Sequence, residues 1–268
     1  MTEDLAMIAT ADEKDFRELV VTDRASLLSS LAGVAADARQ GLRPILHFDC
    51  HGSRDQGLLL EPSGEFLSWG DLADALRRVN VATRNNLCCV FGVCFGLRMS
   101  LELSLNKPTP YYLTIAPENE IAVGVLEDRV ARFYSDTLTG GNITAAYQRV
   151  LAPDLKLFHC KEIMARALAT YIAKNCVGRG RRERRERMVT RTMDAKGIVE
   201  PTPEQLSQAR AGIRTALEPS QALIDRYAPR FLIGRDPGFG YAELKRLSDG
   251  YVALFRKRLE LETRKAGR

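Results

Sequence analysis

Short, nearly continuous apolar runs alternate along this chain with longer stretches in which apolar positions return every three or four residues. Ile45-Leu46-His47-Phe48-Asp49 and Leu87-Cys88-Cys89-Val90-Phe91 are runs of the first kind, the pattern of parallel strands buried on both faces. Residues 111–115 and 155–160 make two more, and 16–22 is a short apolar run with a polar edge that reads as a strand. Between these runs the period lengthens. Leu27, Leu28, Leu31, Val34 and Ala35 set one apolar face on a helix over 24–39, with Asp23 placed to cap it and Gly41 to stop it. Strand, helix and strand from 16 to 49 then form a βαβ unit. Ser68 opens a second helix over 70–81, in which Leu72, Leu76 and Val79 share a face. Residues 57–61 and 65–67, joined through Pro62-Ser63-Gly64, carry a hairpin signal. Past Gly96 the pattern predicts a helix of about ten residues that ends before Asn106 and Pro108. Helices over 123–138 and, capped by Asn142, over 144–150 follow.

Beyond residue 173 strand signals thin out, and charge explains what replaces them. Residues 1–160 hold 15 Lys and Arg against 21 Asp and Glu, whereas 161–268 hold 24 against 13. The sum of +5 therefore conceals an acidic body and a basic tail. Gly178-Arg-Gly-Arg-Arg-Glu-Arg-Arg-Glu-Arg187 is the densest part of that tail, and helical pattern resumes over 203–217 and 241–261. A body over 1–176 and a basic helical region over 177–268 is the expected organisation, and 268 residues suffice for one α/β core with an appendage. The six cysteines lack the spacing of a disulfide framework and read as reduced thiols. No apolar run has membrane-spanning length and no basic-then-apolar leader follows Met1, so the expected address is the cytoplasm, without membrane contact.

Two side chains stand where an apolar run gives way to glycine. His51 precedes Gly52, and Cys94 comes two residues before Gly96. If the two runs are neighbouring parallel strands, both side chains emerge at the carboxyl edge of the sheet, where such sheets place their sites. A thiol there, with a base and backbone N–H groups beside it, is equipped for nucleophilic chemistry, and the helix expected after Gly96 would turn its positive end toward the sulfur. Each residue also has a plainer reading. Free cysteine is among the most buried residue types, and Cys88 and Cys89 read as core. His47, Cys50 and His51 suggest zinc, but along one strand 47, 49 and 51 share a face while Cys50 points the other way. Trp69 reads as a packing residue at the junction of hairpin and helix.

The segments Cys50-His51-Gly52 and Gly92-Val-Cys-Phe-Gly96, with His51 and Cys94 43 residues apart, resemble the caspase-type cysteine peptidases of clan CD. The nearer likeness is to the CHAT subgroup, through Gly57-Leu-Leu-Leu-Glu61, the helix entry Leu67-Ser-Trp-Gly-Asp-Leu72 and the later segments 122–124, 132–134 and 141–147. The likeness covers roughly residues 15–160. It implies a three-layer α/β/α sandwich with a mostly parallel sheet, the basic helical region being an extension. It also implies an endopeptidase that needs no metal or organic cofactor: Cys94 as nucleophile, His51 as general base and acid, and the N–H groups of Gly52 and Cys94 as oxyanion hole. Regulation by a partner protein and a role in bacterial defence or cell death are further implications.

The sequence departs from that family at Gly92, where several relatives place a specificity side chain two residues before the nucleophile. An aspartate preference is therefore unsupported. A basic residue before the scissile bond fits if Asp49 or Glu118 lines the pocket, and Asp49 reads equally well as a structural carboxylate. The arginine block is a solvated helix face or a link on one reading, a phosphate contact for nucleic acid on another, and a processing site on a third. No aromatic is interleaved within 178–187. The competing expectation to a peptidase is a catalytically silent scaffold whose basic region, Arg179 to Arg187 above all, binds nucleic acid or a protein.

Overall fold

The computed structural model describes residues 2–266, and its chain divides into two compact units. The first comprises 1–160 and 230–235; the second comprises 161–229 and 236–268. The first is an α/β unit built on a mixed, mostly parallel four-stranded sheet. Its strands are β1 (Ile45–Asp49), β5 (Cys88–Gly92), β6 (Leu113–Ala116) and β7 (Lys156–His159), in the order β1-β5-β6-β7. β1 and β6 both run parallel to β5, and β7 is antiparallel to β6. A second, three-stranded antiparallel sheet consists of β2 (His51–Ser53), β3 (Gly57–Leu60) and β4 (Glu65–Leu67).

Helices α4 (Val123–Gly140) and α5 (Ile143–Val150) bury Leu126, Val130, Phe133, Tyr134, Ala146 and Tyr147 with Val90, Leu113 and Ile115 of the sheet. Leu5 and Ile8 of α1 (Thr2–Ala11) pack against the same cluster. The apolar faces of α2 (Arg24–Arg39) and α3 (Trp69–Ala82) lie outside it and pack on each other. Helices gathered in two separate apolar sets around one sheet are consistent with a three-layer sandwich.

The caps fall where the side chains place them. Asp23 accepts the Ser26 N–H while Ser26 Oγ takes the Asp23 N–H, a reciprocal box that opens α2. Ser68 accepts the Asp71 N–H at the start of α3, and Asn142 accepts the Ala145 N–H at the start of α5. The helix expected after Gly96 is instead a seven-residue 3-10 helix, Gly96–Glu102. The α-helix expected to turn its amino end toward Cys94 from Gly96 onward does not form, so the dipole expected from it does not arise.

The strand expected over 16–22 does not form. These residues are irregular and largely exposed, Val20 to 80%, so the βαβ unit lacks its first strand and β1 ends the sheet. The physical reason is its charge pattern: Lys14, Asp15, Arg17 and Glu18 crowd the run, and Arg17 reaches Asp37 of α2 at 2.9 Å rather than facing a partner strand.

The second unit is helical: the greater part of α6 (Cys160–Asn175), then α7 (Gly178–Ala195), α8 (Pro203–Ala216), most of α9 (Gln221–Phe231) and α10 (Tyr241–Ala266). The arginine block is therefore the first half of α7. Its charges are largely engaged with neighbours. Arg179 pairs with Glu183, Arg181 with Glu218, and Arg185 and Arg210 with Glu186. Arg184 lies over the Tyr171 ring at 5.1 Å. Among the described residues no helix is long and apolar enough to cross a membrane.

Candidate active site

β1 and β5 are adjacent and parallel, with Asp49 opposite Gly92. The chain leaving each strand therefore emerges at one edge. β1 ends at Asp49, the chain bends at Cys50, and His51 begins β2 in the other sheet. Strand alternation is broken at Cys50, so the shared face expected for 47, 49 and 51 does not hold across it. Cys94 lies in the turn that follows β5, where Gly96 N–H bonds to Val93 O at 3.0 Å.

Glycine brings the two segments together. A Cβ on Gly52 would lie 2.2 Å from the Cys94 carbonyl oxygen and 2.5 Å from Val93 Cγ1. Only a residue without a side chain lets β2 approach the turn this closely. Further ties hold β2 in place: Trp69 Nε1 donates to Ser53 O at 3.1 Å, and Arg98, just beyond Cys94, donates to Arg54 O at 3.2 Å and pairs with Asp55. Trp69, 6% exposed, is both packed and a hydrogen-bond anchor for the segment bearing His51.

The other flank of the Cys94 turn is held by the loop after β6. Phe95 N–H donates to Asn119 O and Leu97 N–H to Pro117 O, both at 3.0 Å. Phe95 itself is left-handed, with φ 60°, a conformation that costs a non-glycine residue about 1–3 kcal/mol and persists only where the surroundings impose it. Ile121 N–H points at Cys94 Sγ, 3.5 Å away. Among the described residues, the Cys94 N–H donates to no carbonyl.

His51 is exposed, its side chain at 68%, and its Nε2 lies 3.1 Å from Glu61 Oε1. In this resting geometry imidazole and thiol hold different partners, Glu61 and the Ile121 backbone. Asp49 and Glu118 are both exposed and flank the end of β5, the first at the end of β1 and the second in the loop after β6. Gly92 faces Leu126, Phe48 O and His47 Nε2 at 3.4–3.5 Å from where its Cβ would stand, so the position two before Cys94 carries no side chain for specificity.

Burial holds three other thiols high. Burial pushes Cys50 up to about 12, helped by the charges of Asp49 and Glu61, and burial alone pushes Cys88 to about 12. Cys89 is raised well above the ordinary thiol range for the same reason. Burial also holds the His47 imidazole below the ordinary histidine range, with Asp49 opposing in part; its Nδ1 meets Tyr134 Oη at 3.1 Å and its Nε2 is buried without a partner. Among the described residues, His, Cys, Asp and Glu side chains assemble no group of three suited to a metal ion.

Sequence reasoning missed Glu61 as a neighbour of His51. The partnership depends on the register that pairs His51 with Leu59, which no local pattern in the sequence states. Compared with family models, curated proteins and solved structures, the chain matches none.

Proposed function

We propose that the chain is a cysteine endopeptidase of caspase-like architecture, with Cys94 as nucleophile and His51 as general base and acid. The observation that supports this reading is the close approach of Gly52 to the Cys94 backbone, which brings the strand bearing His51 against the turn bearing Cys94. In the first step His51 takes the thiol proton as the sulfur bonds to the peptide carbonyl carbon. Negative charge then gathers on the carbonyl oxygen, where the N–H groups of Gly52 and Cys94 are its donors. Collapse breaks the C–N bond, and the amine leaves with the proton from His51. Water, deprotonated by His51, attacks the thioester and returns Cys94 as the thiol. The turn around Cys94 is already fixed by Asn119 and Pro117, so little reorganisation is needed there.

Exposed carboxylates, Asp49 and Glu118, flank the turn and favour a basic residue before the scissile bond. A peptide library turned over by the wild type, and not by Cys94→Ala or His51→Ala with unchanged circular dichroism, supports the peptidase. Equal turnover by all three removes it and leaves the scaffold reading. Arg179, Arg181 and Arg185 of α7 are ion-paired with Glu183, Glu218 and Glu186, which lowers the positive charge these three offer a nucleic acid.

A further inference from the structure

The structure assigns Glu61 as the residue that positions His51, an inference that rests on the peptidase reading of the site. Two features of the fold place it there. The β2–β3 ladder sets His51 opposite Leu59, and Glu61 is the first residue past the end of β3. The turn after β3 then fixes where Glu61 sits: Gly64, with φ +69°, donates to Leu60 O at 2.8 Å and to Glu61 O at 3.3 Å. The carboxylate meets His51 Nε2 at 3.1 Å.

A neutral imidazole has one protonated and one bare nitrogen, and a carboxylate on Nε2 selects the form with the proton on Nε2. Nδ1 is then the bare nitrogen, and it is the one left to accept the thiol proton. Glu61 touches neither the sulfur nor a substrate carbonyl. Its action is to hold ring orientation and tautomer, and both partners are well exposed, at 68% and 65%, so the effect is of the size expected for a surface pair.

The test uses the full chain with ¹⁵N-labelled histidine, in wild type, Glu61→Ala and Glu61→Gln, with His51→Gln to assign the resonances. Where the ring is neutral, the wild-type His51 is expected to show Nε2 protonated and Nδ1 bare. Glu61→Ala is expected to show a mixture of the two forms, and Glu61→Gln, whose amide oxygen still accepts from Nε2, to restore the single form. In turnover, Glu61→Ala lowers kcat about 3- to 5-fold with KM unchanged, and Glu61→Gln recovers most of it. A wild-type ring in the Nδ1-protonated form, or a tautomer indifferent to Glu61→Ala, overturns the proposal. The nitrogen spectra are read without substrate, so they decide the role of Glu61 even if no peptide is cleaved; absent turnover counts against the peptidase reading instead.

Discussion

The two ends of the four-stranded sheet are built on opposite terms. At the amino end, just before β5 and β6, polar groups are sealed in and matched. Asn80 and Asn85 are both fully buried. Asn80 Nδ2 donates to Asn85 Oδ1 at 3.0 Å and to Thr109 O at 2.9 Å, and its Oδ1 accepts the Leu87 N–H. Asn85 Nδ2 donates to Leu232 O at 3.0 Å, and Thr83 Oγ1 donates to Asn80 O. At the carboxyl end His51, Asp49, Glu61 and Glu118 are exposed, and Cys94 is half-buried with a weak contact to Ile121. A buried, satisfied network fixes one arrangement of backbone, because each broken bond strands a desolvated group. Groups left partly free in water are the ones available to a substrate. The amino end thus fixes the strands whose carboxyl ends carry the exposed groups.

The sharpest way to break this contrast is to delete one residue at each end. Cys94→Ala is expected to lower turnover by more than about 1,000-fold while the melting temperature stays within a degree or so. Asn80→Ala is expected to do the reverse. It strands the Leu87 N–H and Thr109 O and lowers unfolding free energy by roughly 3 kcal/mol, while kcat per folded molecule holds. Urea titration and active-site-normalised kinetics read both. A Cys94→Ala protein as destabilised as Asn80→Ala would place the sulfur among the structural groups.

Gly52→Ala comes next, and it tests the close approach itself. The new Cβ would overlap the Cys94 carbonyl at 2.2 Å, so β2 must retreat. The expected cost is about 1–3 kcal/mol of stability and about 100-fold in kcat/KM, as a misplaced imidazole and oxyanion donor lose alignment. Gly33→Ala is the control. Its Cβ meets nothing within 4 Å in the interior of α2, and stability should rise by about 0.5–1 kcal/mol with kinetics unchanged. A smaller effect is chemical. Burial keeps Cys50 and Cys88 protonated at pH 8, so iodoacetamide should label Cys94 ahead of both, as read by peptide mass spectrometry.

The parts of this architecture written in local pattern were legible. Asp23, Ser68 and Asn142 cap the helices their side chains announce, and the apolar runs before Asp49 and Gly92 are adjacent parallel strands. Misses arose where tertiary context overrode pattern. The run 16–22 has β-propensity, yet with Arg17 bound to Asp37 it gains no ladder and stays exposed. The helix of about ten residues expected past Gly96 is a seven-residue 3-10 helix, entered through a turn tied to the loop after β6. The break at Cys50, which transfers His51 to a second sheet, and the partnership of His51 with Glu61 depend on register between strands. No single-residue pattern encodes that. α1, α6 and α9 were not anticipated either, although Leu223, Ile224, Tyr227, Ala228 and Phe231 of α9 stand at helical spacing.

The smallest expected effect tests the carboxyl half of the contrast at β1. His47 stands two residues before Asp49, buried among Tyr134, Gly92 and the strand, and burial holds its imidazole below the ordinary value of 6.5, with Asp49 opposing. In the unfolded chain the ring takes up its proton as pH falls through about 6.5. In the folded protein it stays neutral to lower pH. The unfolded state therefore binds more protons in that window, and its share grows as pH drops. The contribution is fully present above pH 6.5 and is lost progressively below it, toward the lowered folded value. Urea midpoints measured at pH 7.5, 6.5 and 5.5 should decline across the series in wild type and decline less in His47→Leu, in which no proton binds at that position. A His47→Leu protein with the same slope as wild type would show that β1 carries no buried titrating group.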